Sequence, residues 1–95
     1  MLTPYELKNT VIRNRIVMPA MCQYSATEDG LATDWHLIHY GTRAVGGVGL
    51  IILEATAVEK RGRLSNNCLG VWDDAQVDGL SRIVDYCKAQ GAVMG

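Results

Sequence analysis

Leu50-Ile51-Ile52-Leu53 is a run of four apolar residues with no polar alternation. A strand of this kind needs apolar cover on both faces, as in a parallel sheet sandwiched by helices. The flanking segments agree with that reading. Ile16 to Met18 reads as an earlier buried strand closed by Pro19, and Ala92-Val93-Met94 as the start of a third. Between the first two strands a helix is predicted from about Asp34 to Val45. Thr33 or Asp34 caps it, and Gly46-Gly47 stops it. Its apolar face is read as Leu37, Ile38, Ala44 and Val45. Asp73 opens a second helix with Gln76 three residues on, the spacing of a capping box. Val77, Leu80, Val84 and Cys87 give that helix an inward stripe, and Gly91 ends it. Strands alternating with helices imply an α/β fold with right-handed parallel crossovers.

Outside this frame, Leu2 to Leu7 and Val11 to Ile12 flank the turn-like Lys8-Asn9-Thr10, which reads as a small hairpin or cap before the main fold. Ser25 to Thr33 is a polar stretch with a turn at Asp29-Gly30. Glu54 to Gly70 is a long loop, a class that often carries function. The 95 residues form one domain at most, residues 1–95, and 48% are apolar, enough to compose a core. A net charge of −1 gives no reason to expect nucleic acid or an anionic membrane as partner. The loose basic group Lys60, Arg61 and Arg63 reads as a solvated loop. Cys22, Cys68 and Cys87 are odd in number and widely spaced, so no closed disulfide framework is expected. A reducing, cytoplasmic compartment fits that usage. Met1 to Lys8 has no secretory pattern, and the longest apolar run is too short to cross a bilayer.

In α/β folds ligands collect where loops leave the carboxyl ends of the strands. Cys22 and Tyr24 stand in the turn after the first strand, on one side of an extended segment. The thiol can face a cofactor, or fill space as a small hydrophobe. The phenol can donate to a carbonyl, or simply pack with its hydroxyl in water. His36, His39, Tyr40 and Arg43 form a polar helix face at i, i+3, i+4 and i+7. The spacing differs from the helical zinc pattern, so packing and hydrogen bonding are expected of it, with no metal. Gly46-Gly47-Val48-Gly49 follows a helix and precedes a strand, the reverse of a dinucleotide loop, and reads as a helix stop. Glu54 ends the second strand, as a catalytic group or a loop anchor.

Five ordered segments together resemble one family. They are Asn14 to Tyr24, Asp34-Trp35-His36-Leu37-Ile38-His39-Tyr40, Glu54-Ala55-Thr56-Ala57-Val58, Gly62-Arg63 and Gly70-Val71-Trp72-Asp73. The family is the old yellow enzymes, FMN-dependent ene-reductases on a TIM barrel. The similarity is greatest to the bacterial branch of YqjM-like NADPH dehydrogenases and xenobiotic reductases. It implies the amino-terminal portion of a (β/α)8 barrel: the cap hairpin, two βα units and the start of strand three. It further implies FMN as cofactor, NADPH or NADH as reductant and an α,β-unsaturated carbonyl compound as substrate. Pro19, Ala20, Met21 and Cys22 match the loop along the flavin ring, with Cys22 tuning its potential, and Ala55 approaches the flavin's polar edge. Tyr24 matches a substrate-binding tyrosine. Ala20 departs from the proline common in the family, which bears on local stiffness. His36 and His39 have counterparts there, with no catalytic role carried over. Relatives commonly assemble as dimers or tetramers, which implies a homo-oligomer at full length.

A TIM barrel needs roughly 250 residues. The expectation is therefore a carboxyl-truncated piece holding one wall of a flavin site and inactive alone. The proton donor, the pair holding the substrate carbonyl and the phosphate-binding arginines would lie beyond Gly95. The alternative from another class is a naturally short, non-catalytic α/β module that associates through its open sheet edge. A flavodoxin-like domain is weaker, since no phosphate loop follows strand one.

Overall fold

The computed structural model describes all 95 residues. The chain opens with an antiparallel hairpin, β1 (Tyr5–Leu7) and β2 (Thr10–Ile12), turning through Lys8 at φ +52°. Three parallel strands follow, separated by helices: β3 (Val17–Met18), α1 (Asp34–Val45), β4 (Leu50–Ile51), α2 (Val77–Ala89) and β7 (Val93–Met94). They pair in the order β3-β4-β7, with Val17 beside Leu50 and Leu50 beside Val93. Hydrogen bonds from Ile52 to Met18 and from Leu53 to Gly95 carry the ladder past the formal strand ends. These are the expected parallel crossovers, with both helices packed against each other and against the sheet.

The helix boundaries follow their cap chemistry. Asp73 Oδ1 accepts from the N–H of Ala75, and Gln76 Oε1 accepts from the N–H of Asp73, the reciprocal capping box. A 3-10 turn over Asp74–Gln76 leads from it into α2. The loop from Glu54 to Gly70 is more ordered than expected. Its two ends pair in parallel as β5 (Thr56–Ala57) and β6 (Leu69–Gly70), around a 3-10 turn at Lys60–Gly62.

The core comprises Met18, Tyr40, Ala44, Ile51, Ile83, Cys87 and Ala92. It corrects three expectations. The Leu50–Leu53 run is covered on one face only: Ile51 is fully buried under the helices, whereas Ile52 is 37% exposed on the face that nothing in these 95 residues covers. Helix α1 buries His36, His39, Tyr40, Gly41 and Ala44; of its predicted apolar face, Ala44 is inside and Leu37 half-buried, but Ile38 and Val45 are exposed. Tyr40 bonds to Glu54 inside, while Ile38 is left 61% exposed and, with Leu37, Val45 and Tyr86, walls an open apolar groove of about 410 Å³. On α2 the buried residues are Ile83 and Cys87, with Leu80 and Val84 half-buried and Val77 exposed. No helix is long and apolar enough to cross a membrane.

Candidate active site

Because β3, β4 and β7 are parallel, the segments after Met18, Leu53 and Met94 leave the same end of the sheet. Pro19 to Tyr24 crosses that end after β3, and Glu54-Ala55 leaves it after β4. Pro19, Ala20, Met21 and Ala55 are exposed there, and Cys22 is partly buried. The main-chain N–H groups of Ala20, Met21, Cys22 and Ala55 donate to nothing within the chain. Four of the residues singled out in the sequence, Ala20, Met21, Cys22 and Ala55, thus carry main-chain donors unpaired within the chain, at the end of the sheet where the Cys22 thiol lies.

Tyr24 stands at φ +52°, an uncommon conformation for a tyrosine, with its phenol exposed. The neighbouring Cys22 pushes the phenol's pKa above 10.0, and like any tyrosine hydroxyl it is a donor at neutral pH.

Beneath this turn lies a buried polar cluster. Glu54, 4% exposed, follows the last ladder bond after β4 and meets Tyr40 of α1. Tyr40 Oη donates to Glu54 Oε2 at 2.6 Å and accepts from the Glu54 N–H at 3.1 Å. Glu54 Oε1 accepts from the N–H of Gln23 at 3.4 Å and faces His36 Nε2 at 3.7 Å. His36 Nδ1 accepts from the N–H of Thr33 at 3.0 Å, so the ring proton belongs on Nε2, toward the carboxylate. Burial alone would raise the Glu54 pKa. The contacts from His36, Tyr40 and Gln23 outweigh it and hold the carboxyl below its ordinary 4.5. Burial, and then the bond to Glu54, push Tyr40 far above 10.0. His39 lies between Trp35, stacked at 5.8 Å, and Tyr40, with its Nε2 buried and unpartnered. Burial first, and then Arg43, lower its pKa below 6.5.

The sequence reading of a packing and hydrogen-bonding face on α1 agrees with this cluster. What the sequence left open was that Glu54 completes it. The available signal was the i, i+4 pair His36 and Tyr40 together with a carboxylate at a strand end.

Two of the three shifted groups in the cluster, His39 and Glu54, act on stability below neutral pH. A lowered histidine pKa gives stability that is lost as pH falls below 6.5, when His39 must take up a proton against its surroundings. A lowered carboxyl pKa gives stability that is lost only below 4.5. The urea midpoint is therefore expected to fall between about pH 7.5 and about pH 5.5 in the wild type and to stay flat over that range in His39→Gln. Equal slopes in the two proteins would discount His39 as the source.

The profile of the NADH:flavin oxidoreductase / NADH oxidase family matches residues 1–95, the whole chain. The chain belongs to this family. It is 53% identical over 96 residues to an NADPH dehydrogenase of Geobacillus sp. (strain WCH70), covering 100% of this chain and 28% of that protein. The fold is similar to that of the Old Yellow Enzyme from Pichia sp. AKU4542, with TM-score 0.91 and 30% identity over 98% of this chain and 24% of that one. Morphinone reductase gives TM-score 0.88 and 32% identity, covering 99% of this chain and 24% of its own. The chain thus spans about a quarter of the length of the old yellow enzymes it matches, and its strands and helices are those of that part of their barrel.

Proposed function

We propose that the protein carrying this chain is an FMN-dependent NAD(P)H oxidoreductase acting on α,β-unsaturated carbonyl compounds. The chain supplies one wall of its flavin site. The observation that carries the reading is the set of N–H donors unpaired within the chain at Ala20, Met21, Cys22 and Ala55, at the carboxyl end of a parallel sheet in a chain of this family. Unpaired main-chain donors along an exposed edge suit the carbonyl-bearing rim of an isoalloxazine, so the residues fit the group. Pro19 to Cys22 and Ala55 would hold it.

Bound FMN would supply two-electron hydride chemistry between the nicotinamide and the substrate's β-carbon. The protein's own contribution is orientation and electrostatics. Tyr24, a donor at neutral pH, donates to the substrate side and favours negative charge developing on a carbonyl oxygen. Cys22 offers a weak S–H donor and a polarisable sulfur at the same edge. The family match over the whole chain and the shared barrel geometry favour this reading over a non-catalytic association module. Cytoplasmic residence and a homo-oligomeric assembly belong to the same proposal.

The test is purification of the full-length protein. Bound yellow flavin in near one-to-one ratio, bleached by NADPH and restored by cyclohexenone, is the expected result. A colourless protein that takes up no FMN would refute it. Within that protein, Cys22→Ala removes a donor that favours the electron-rich reduced flavin. The midpoint potential is expected to fall by about 30 mV, the two-electron equivalent of about 1.4 kcal/mol, with FMN still bound. An unchanged potential would remove Cys22 from that role.

A further inference from the structure

We infer that Glu54 is a positioning residue for Cys22, holding the Cys22–Gln23 peptide in place through its buried carboxylate. The purpose of that hold rests on the flavin-site reading above; the hold itself does not. The argument starts from cost. Taking a carboxylate out of water carries a penalty of several kcal/mol unless its oxygens find good partners. Here the side chain is 1% exposed, and the facing His36 Nε2, at 3.7 Å, stays outside hydrogen-bond distance.

The carboxylate's contacts instead join three elements. Oε2 takes the 2.6 Å bond from Tyr40 of α1, which fixes the group's orientation at the end of β4. Oε1 is thereby turned to the N–H of Gln23, in the turn after β3. A peptide unit is planar, so fixing the Gln23 N–H also fixes the Cα of Cys22, which lies in the same plane. Gln23 is tied on its other side as well. Its Oε1 accepts from Trp35 Nε1 at 3.3 Å, its Nε2 donates to the Met21 carbonyl at 3.0 Å, and its own carbonyl accepts from Ser25 Oγ. The residue after the thiol is therefore a knot between α1, β4 and the turn. Among its ties, the bond to Glu54 is the one anchored in a buried group.

The experiment reads the thiol directly. Cys22 alkylation by iodoacetamide is followed by peptide mass spectrometry in the full-length protein, with and without FMN. The fully buried Cys87 of α2 reports on global folding. In Glu54→Ala the FMN-free rate at Cys22 is expected to rise about tenfold, the change that losing one charge-assisted hydrogen bond makes in a local opening equilibrium. Protection of Cys22 by FMN should fall with it. Tyr40→Phe frees the carboxylate without removing it and should raise the rate about threefold. Glu54→Gln keeps an oxygen for the Gln23 N–H and should remain within about twofold of wild type.

Wild-type rates at Cys22 in Glu54→Ala and Tyr40→Phe, with Cys87 protected, would overturn the inference. So would Glu54→Gln behaving like Glu54→Ala, because the charge rather than the held oxygen would then matter. If Glu54→Ala exposes Cys87 it has unfolded, and the comparison of Tyr40→Phe with Glu54→Gln decides. A wild-type protein that binds no FMN would refute the functional reading, while the FMN-free rates would still judge Glu54.

Discussion

Replacing Arg13 by alanine is expected to destabilise the full-length protein by about 3–4 kcal/mol, the largest loss foreseen for any residue outside the core and the loop glycines. One guanidinium serves three carbonyls. Its Nη2 donates to Ala44 at 2.8 Å and to Val48 at 2.9 Å, its Nη1 to Gln90 at 2.7 Å, and its Nε to Val48 at 3.3 Å. Ala44 lies in the last turn of α1, Gln90 caps the end of α2, and Val48 leads into β4. A single cation thus adds a donor to the Ala44 carbonyl, which also accepts from the Gly47 N–H, and supplies the Gln90 carbonyl, at the end where each macrodipole is negative. The fork is tightly seated, since a Cβ at Gly91 would stand 2.5 Å from Nη1. Arg13→Lys should recover less than half of the loss, because an ammonium is a point donor and cannot span the three acceptors. Urea midpoints of the three proteins measure this. A cost below about 1 kcal/mol for Arg13→Ala would mean that water replaces the fork.

Arg13 also shows what the sequence left unread. Strand and helix identities were legible because they rest on local chemistry: the apolar runs at Ile16–Met18 and Leu50–Leu53, the Asp73–Gln76 capping box, and the glycines after Val45 and at Gly91. The alternation then fixed a parallel sheet, and with it the end at which Cys22, Tyr24 and Ala55 gather. Burial was less legible, because it depends on partners far along the chain. Apolar counting favoured Leu37, Ile38, Ala44 and Val45 for the inner face of α1; Ala44 is inside, but His36 and Tyr40 take the places of Ile38 and Val45 since Glu54 meets them. Ile52 is half open because burial of a strand's second face needs another layer, and these 95 residues supply only one. The pairing of Thr56–Ala57 with Leu69–Gly70 was invisible for a related reason. Two-residue strands carry no periodicity, and their register is set by what packs around them.

The packing around those short strands leads to the second large effect, at Gly30. Gly30→Ala is expected to cost about 3–4 kcal/mol and to release bound flavin from the full-length protein. Gly30 closes the turn that begins at Thr27, at φ +72°, where a side chain brings a steric penalty of about 1–2 kcal/mol. Its Cβ would also stand 2.7 Å from the Trp72 ring, 2.8 Å from Gln76 Nε2 and 3.0 Å from the Gly70 nitrogen. None of these neighbours can retreat freely. Gln76 donates to the Asp29 carbonyl at 2.7 Å, the Gly70 N–H donates to the Gly30 carbonyl at 3.0 Å, and Arg63 lies over the Trp72 ring. Relief must come from moving the Ser25–Thr33 segment, which is bonded to the 54–70 loop through Ala26 with Asn67 and Glu28 with Arg63. That displacement reaches the turn carrying Cys22 and Tyr24, so flavin occupancy should fall together with stability. Gly47 supplies the control. It stands at φ +105°, and a Cβ there would meet nothing within 4 Å, so Gly47→Ala isolates the conformational cost. Gly47→Ala should lose about 1–2 kcal/mol and keep its flavin. If the two variants lose the same stability, the close approach of Trp72 and Gln76 carries no energy, and the loop is held by its backbone conformation alone.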